Sequence, residues 1–320
     1  MRKVCFTIPP EVHLLDINGP AHIFYEAKES GVAMALHFVS LDHHTEIKTS
    51  AGLYFNRLEF FESIELQAGD IVFIPGLDYH LISDKNFVKL IRPFLNWVTE
   101  QYQKGVHICS ICTGSFILAE TGILNGQTAT THWKYFERFF EKFPKINLLK
   151  DRLFVSSKNV HSSAGVASGI DLSLYLLEQF YGTKLAVDIA KEVVIYFRRS
   201  ASDPQLSVFL QYRNHLDHRI HNAQDYLINH LKEAPTAEDL ADHVHMSKRN
   251  LTRLFKKTCG ITIGGYLEKI RVEKAIALLA KKNKVDFVAL QCGLKSTNQL
   301  RTILKKHQDV LPTEITPLSK

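Results

Sequence analysis

The chain has 320 residues, 45% hydrophobic and 22% charged, a globular composition that excludes a disordered or fibrous protein and is long enough for two cores. The formal net charge of +6 is unevenly spread: residues 1–203 carry 20 basic and 22 acidic side chains, a net −2, and residues 204–320 carry 19 and 11, a net +8. No apolar run of about 18 residues is present to span a membrane, the first twenty residues lack the h-region of a secretory signal, and five cysteines are too few for a disulfide scaffold, so a reducing cytoplasm is the expected location.

In chain order, residues 2–8 read as a buried first strand and 19–30 as a helix opened by Gly19-Pro20. Residues 34–41 read as the next strand, and 70–76 as a strand ending in Pro75-Gly76. A helix is predicted over 87–102, kinked or started by Pro93, followed by an apolar strand at 106–111 and a helix at 113–121. This alternation predicts an α/β fold with a sandwiched, mostly parallel sheet. Ligands in such sheets bind at the carboxyl ends of the strands, here residues 16–19, 75–76 and 110–114. The aromatic run at 133–140 reads as an amphipathic helix packed on the sheet. The helix over 182–197 supplies either packing or a dimer contact.

The sharpest local feature is Cys112 followed by Thr113 and Gly114. A strand running into a helix with cysteine at the corner has the geometry of a nucleophile elbow, although it does not match G-x-S-x-G. The helix N-terminus is expected to lower the thiol pKa, and Gly114 to spare the turn a Cβ. Amides near Gly76, Leu77 and Thr113 are expected to form an oxyanion-type pocket. The plainer alternative is a buried, inert cysteine. Cys109 makes C-x-x-C with Cys112, but it falls inside the strand pointing away from the corner, so no redox pair is expected. His215, His218 and His221 recur every three residues on an expected helix. No local Cys or carboxylate completes a ligand set, so they read as a solvated face, and neither a metal site nor a cofactor is expected.

The basic third is helical throughout. Segments 236–258 and 284–307 align: Leu251 with Leu300, Phe255 with Leu304, Lys256 with Lys305, Lys257 with Lys306, and Ala241 with Ala289. This is a repeated helix–turn–helix unit. Thr236 with Asp239, Ser247, and Ser296 with Gln299 are helix-capping patterns. Leu251 and Phe255 would face the core. The opposite face, headed by Ser247, offers Lys248, Arg249, Asn250, Thr252 and Arg253. Its counterpart offers Thr297, Asn298, Gln299, Arg301 and Lys305. These are donors for base edges and phosphates. Between the units, 264–282 reads as a helix of about 18 residues, near 27 Å long. Successive major-groove faces lie about 34 Å apart, so this helix can present both units to one side of a duplex.

The helical third resembles the AraC/XylS DNA-binding domain over residues 217–317. The resemblance is carried by Leu240-Ala241, Met246-Ser247, Arg249, Leu251, Arg253, Leu254-Phe255-Lys256, Gly260, Tyr266, Arg271, Ala275, Leu278-Leu279, Ala289, Cys292-Gly293 and Pro312. It implies a transcription factor that binds double-stranded DNA. Thr302 stands where that family usually has Arg, Leu300 and Leu304 where it has Phe, Asp309 where it has Gly, and Ile263 where it has Pro. The first unit is therefore expected to lead in reading DNA.

The first two thirds resemble the PfpI/ThiJ class I glutamine-amidotransferase-like superfamily over residues 3–185. Here the carriers are Asp16 to Pro20, Ile74-Pro75-Gly76, the run from Cys112 to Trp133, and residues 163–172. That run is similar both to isocyanide hydratases and to the sensor domains of GlxA-type AraC regulators, and Ser202-Asp203-Pro204-Gln205 fits the latter. The resemblance implies a flavodoxin-like sheet with Cys112 as the elbow cysteine and Asp16 as the acidic residue facing it. It also implies contacts from Thr113 and a pocket position for His132. No late His-x-Glu element is evident and no His follows Cys112, so neither glutaminase nor protease activity is expected.

The expected protein is a cytoplasmic, homodimeric regulator without membrane association. A sensing domain (1–203), a linker (204–216) and a DNA-binding domain (217–317, with units near 236–257 and 284–307) compose it. An unidentified small molecule would bind at Asp16, Gly76, Leu77, Cys112, Thr113 and His132. The alternative is a cysteine-dependent hydrolase or hydratase, with Cys112 and Asp16 catalytic, carrying an appended DNA-binding module.

Overall fold

The computed structural model describes residues 1–150, 152–165, 167–195, 211–213, 215–280 and 282–315. The chain divides into two compact units, Met1–Gln205 and Leu206–Lys320. The motif at 202–205 lies outside the described residues.

In the first unit, β1 (Arg2–Ile8) pairs in parallel with β2 (Met34–Ser40) on one side. Two short strands, β3 (Glu46–Lys48) and β4 (Tyr54–Asn56), form a separate ribbon, and β5 (Glu59–Phe60) pairs with the far side of β2. On its other side β1 pairs with β6 (Ile71–Ile74), which pairs with β7 (His107–Ile111), again in parallel. The small strands β8 (Thr128–Ala129) and β9 (Asn147–Leu148) pair with each other. The hairpin of β10 (Phe154–Ser157) and β11 (Val160–Ser163) closes the large sheet through a parallel β11–β7 ladder. The resulting order, β10-β11-β7-β6-β1-β2-β5, is the mostly parallel sheet expected from the sequence.

Both faces of the sheet are covered, which explains why its central strands are continuous apolar runs rather than alternating ones. Val4, Phe6, Ile8, Phe73 and Ile111 face a core shared with α1 (Leu14–Glu29), α7 (Ala167–Tyr181) and α8 (Thr183–Glu192). Cys5, Val72, Ile74 and Ile108 face the opposite core. There the intervening elements α2 (Tyr79–Ser83), α3 (Lys85–Leu90), α4 (Arg92–Gln103), α5 (Gly114–Glu120) and α6 (Phe136–Lys142) contribute Ile82, Phe87, Phe94, Phe116 and Phe139.

Three sequence readings need correction. The first helix begins at Leu14, not at Gly19, so Gly19-Pro20 lies inside it. Pro20 costs the helix one backbone hydrogen bond. Gly19 has a packing role: a Cβ there would sit 2.9 Å from Ile170, so its absence lets α1 and α7 approach. The helix expected over 87–102 is two helices, broken at Ile91, with Pro93 in the first turn of the second, where a missing N–H costs little. The helix expected over 182–197 ends by Glu192.

The second unit is helical. Its elements are α9 (His218–Asn229), α10 (Ala237–His243), α11 (Lys248–Cys259), α12 (Ile263–Ala280), α13 (Val285–Gln291) and α14 (Thr297–Gln308). Two cores match the sequence repeat: Leu240, Ala241, Leu251 and Phe255 in one, Ala289, Leu300 and Leu304 in the other. Residues expected in the linker pack here too, since the Tyr212 carbonyl accepts from the Gln224 amide at 2.7 Å and Arg213 pairs with Asp225. His215 precedes α9, which Asp217 caps, so the three histidines do not share one helical face. Instead the His221 ring nitrogen lies 2.7 Å from the His215 carbonyl.

Candidate functional site

Strand β7 delivers Cys112 to the carboxyl edge of the sheet, in the middle of the parallel strands. Cys112 adopts φ +56°, a left-handed conformation that is costly for a residue with a Cβ and that over-determined surroundings must hold. Its amide donates to the Ser163 carbonyl at 3.0 Å. The Ser115 and Thr131 hydroxyls, 2.7 Å apart, lie 3.0 and 3.2 Å from its carbonyl oxygen. Thr130 ties the same segment to β11 by donating its amide to Ser162 at 2.8 Å. The two threonines before His132 are thus the fastening of the elbow.

Glycines shape the space around it. A Cβ at Gly114 would land on the carbonyl oxygens of Ile74 and Pro75, so α5 can start only with glycine there. A Cβ at Gly76 would strike the Asp16 carboxylate and sit 2.9 Å from the Cys112 Cβ. Gly165, at φ +105°, occupies a position where any Cβ would strike Cys112. Asp16, in the first turn of α1, is fully buried, and Thr113 and Leu77 are equally enclosed. The Thr113 hydroxyl donates to the Leu77 carbonyl at 2.9 Å and accepts from the Leu77 amide at 3.1 Å. That amide is therefore engaged and is not a donor for an oxyanion, contrary to the expectation from sequence.

The thiol also differs from expectation. Burial pushes the Cys112 pKa well above the ordinary cysteine value, and the negative charge of Asp16 adds to the rise. The Thr113 amide and hydroxyl favour the thiolate but are outweighed. A seven-residue helix cannot offset desolvation of this extent. Alkylation of Cys112 by iodoacetamide should accordingly be at least roughly tenfold slower at pH 7 than for a free thiol, and should rise with pH with no plateau below pH 9. Asp16→Asn should accelerate it. Mass spectrometry of the Cys112 peptide reads the rate, and a plateau near neutrality would contradict this assignment.

Sequence reasoning missed His13. It stands one residue before α1, where its amide donates to the Gly76 carbonyl at 2.9 Å. Its Nδ1 lies 3.7 Å from Asp16 Oδ2, and the carboxylate raises the imidazole pKa against the opposing effect of partial burial. One ligand-type atom from each of His13, Asp16 and Cys112 lies within 4.8 Å of the other two. The available signal was the His-x-x-Asp spacing, which puts both side chains on one face once the helix is started at Leu14. His132 is half-buried. Burial lowers its pKa, and the field of Asp16 partly restores it. All five free cysteines are described, and burial holds Cys109 well above the ordinary thiol pKa.

The second unit presents its surface through capped helices. Thr236 and Asp239 form a reciprocal capping box at α10, and Ser247 accepts from the Asn250 amide at the start of α11. Leu251 and Phe255 are fully buried, whereas Lys248, Arg249, Asn250, Thr252 and Arg253 are exposed on the other side of α11, with Ser247 at its head. In α14, Ser296 accepts from the Gln299 amide. The Gln299 side chain accepts from the Lys295 amide, one residue before the cap, so the expected reciprocal box is incomplete. Asn298, Gln299, Arg301 and Lys305 are exposed and Thr297 is half-buried. Asp309 ends α14 in the left-handed conformation that glycine usually fills, and its carboxylate pairs with Lys305 at 2.7 Å.

A cysteine elbow on a parallel sheet, followed by a two-fold helix–turn–helix unit, defines a class of protein: an α/β domain with a cysteine corner joined to a DNA-binding module. Residues 2–179 match the DJ-1/PfpI family, and residues 240–316 match a helix-turn-helix domain. The chain belongs to the DJ-1/PfpI family and carries a C-terminal helix-turn-helix domain of the AraC type. Among its relatives is the HTH-type transcriptional regulator CdhR of Pseudomonas aeruginosa, 29% identical over 234 residues, or 72% of this chain and 67% of that protein. The isonitrile hydratase of Pseudomonas putida is 28% identical over 206 residues, covering 63% of this chain and 80% of the hydratase. In fold, 60% of the chain superposes on the whole of an AraC family transcriptional regulator from Pseudomonas putida, with a TM-score of 0.51 at 16% identity. No helix among the described residues is long and apolar enough to cross a membrane.

Proposed function

We propose that this chain is a cytoplasmic DNA-binding transcriptional regulator whose first unit binds a small ligand at the Cys112 pocket without turning it over. The observation that carries this reading is the exposed donor face of α11, held rigidly by Leu251 and Phe255 beneath it and by caps at both ends. It concentrates the positive charge of the second unit where base edges and phosphates would be met. Ligand binding would shift the balance between two states of the regulator, which requires different ligand affinities in the two. Footprinting at physiological salt tests the reading; absence of any sequence-selective protection would sink it.

The two reading helices are not equivalent. In α14, Arg301 donates to Asn298 at 2.9 Å, Lys305 pairs with Asp309, and Lys306 pairs with Glu268. In α11, Lys248 pairs with Glu238, but among the described residues no ion pair involves Arg249, Arg253, Lys256 or Lys257. Arg253→Ala should weaken operator binding about 10- to 100-fold, the loss of roughly 1–3 kcal/mol typical of a base-reading arginine, and Arg301→Ala should cost less. Fluorescence anisotropy titrations compare them, and equal losses would refute the ranking.

A second reading, a working isonitrile-type hydratase, is favoured by the buried Asp16 beside Cys112 and by the likeness to the hydratase. The raised thiol pKa weighs against it. Turnover of an isonitrile that Cys112→Ala abolishes would establish it, and no turnover would leave the sensor.

A further inference from the structure

We propose that His13, Asp16 and Cys112 form a binding site for a thiophilic divalent cation of the Zn²⁺ class. The proposal rests on reading the Cys112 pocket as a ligand site, and it names the chemistry of the ligand.

Three different elements bring the donors together: the turn after β1 supplies imidazole, the first turn of α1 a carboxylate, and the elbow a sulfur. An imidazole, carboxylate and thiolate set suits Zn²⁺ or Co²⁺ and is wrong for Mg²⁺ or Ca²⁺, which take oxygen ligands. Tetrahedral coordination at about 2.0–2.1 Å to N and O and 2.3 Å to S places ligand atoms roughly 3.3–3.6 Å apart. The His13 Nδ1 to Asp16 Oδ2 separation of 3.7 Å is beyond a hydrogen bond but close to that tetrahedral edge.

The donors are also pre-positioned. The His13 amide is bonded to Gly76, the neighbouring Val12 bridges to Leu77, and the Cys112 backbone is held from Ser163, Ser115 and Thr131. Asp16 is fully buried and Cys112 is 4% exposed, whereas the His13 side chain is 36% exposed. A cation would therefore enter past His13. On binding, the sulfur takes up the metal and the thiol proton leaves to solvent. Three protein ligands leave a fourth position for water or an effector donor atom.

Co²⁺ titration of the full-length protein, in the absence of DNA, tests the site. One ion per chain should bind and produce the near-ultraviolet charge-transfer band of a thiolate–Co²⁺ bond. Cys112→Ser should abolish the band. His13→Ala, which leaves the elbow intact, should weaken binding at least roughly tenfold, since losing only an outer-shell partner already costs 10- to 100-fold. Unchanged tryptophan fluorescence in both variants would show that the unit is folded.

Absence of the band in the wild-type protein overturns the proposal, as does its persistence in Cys112→Ser. Binding that survives Cys112→Ser and is lost in His80→Ala also overturns it, by moving the ion to the half-buried Glu11 and the exposed Asp78 and His80. A chain that protects DNA selectively but takes no cation loses only this proposal and keeps the regulator reading.

Discussion

Replacing Phe255 by Ala should destabilise the second unit by about 3–5 kcal/mol, the range for deleting a fully enclosed aromatic ring. Phe255 is 0% exposed and meets the ring of Tyr266 edge-on at 5.5 Å. It shares its core with Leu227, Leu240 and Leu251, so the cavity would open under α11 itself. Domains of this size have about 5–15 kcal/mol in all, and the loss would take a large part of it. DNA affinity should fall as well, although Phe255 reaches no surface, because the ring sets the position of Arg249 and Arg253 on the opposite face. The two units can be followed separately. Trp97 and Trp133 are the only tryptophans and both lie in the first unit. The urea midpoint read by tryptophan fluorescence should stay where it is, while the second unit's share of the helical signal by circular dichroism should be lost at lower denaturant. A tryptophan transition that moves with it would mean that the units do not unfold independently.

How much of this was legible in the sequence depended on how far each signal extended. The helix caps Thr236 and Ser247, the buried pair Leu251 and Phe255, and the four long parallel-sheet segments each combine several residues with one period. The two- and three-residue strands β3, β5, β8 and β9 carry no such period, and only tertiary pairing defines them. Gly19-Pro20 misled because the same dipeptide serves a helix start and a close helix crossing, and only the position of Ile170 distinguishes them. At the elbow, the proximity of Cys112, Asp16 and Gly76 is legible from strand-end positions and family likeness. His13 is not legible there, because a helix read from Gly19 leaves it in a loop, whereas the true start at Leu14 makes it the N-cap. The direction of the thiol pKa is not legible either, because local sequence reveals the helix N-terminus but not the burial of the sulfur, and burial dominates.

A second large effect should appear in acid. His161 is 2% exposed on β11, with Nε2 3.0 Å from Nδ1 of His107 and Nδ1 2.9 Å from the Ser156 hydroxyl. Burial, with the neighbouring His107, pushes its pKa down to about 3. His107 is lowered as well, by burial and by the Arg2 guanidinium. One shared N–H satisfies the pair when both rings are neutral, whereas two protons would set N–H against N–H. The unfolded chain binds a proton at the ordinary histidine value of about 6.5, while the native state refuses it until about pH 3. The stability that depends on neutral His161 is therefore present above pH 6.5 and is lost as pH falls through that window. At pH 5 the loss from this group is about 2 kcal/mol, from 1.36 kcal/mol for each unit between pH 5 and the unfolded value. Urea unfolding followed by tryptophan fluorescence at pH 7 and pH 5 measures it in the first unit. His161→Gln keeps an amide donor and acceptor for His107 and Ser156 but cannot titrate. Carboxylates common to both proteins cancel in the comparison, so the wild type should lose about 2 kcal/mol more than the variant over that interval. Equal losses would mean that the native pair accepts a proton as readily as the unfolded chain does, and that a buried imidazole pair does not govern the acid sensitivity of the sheet.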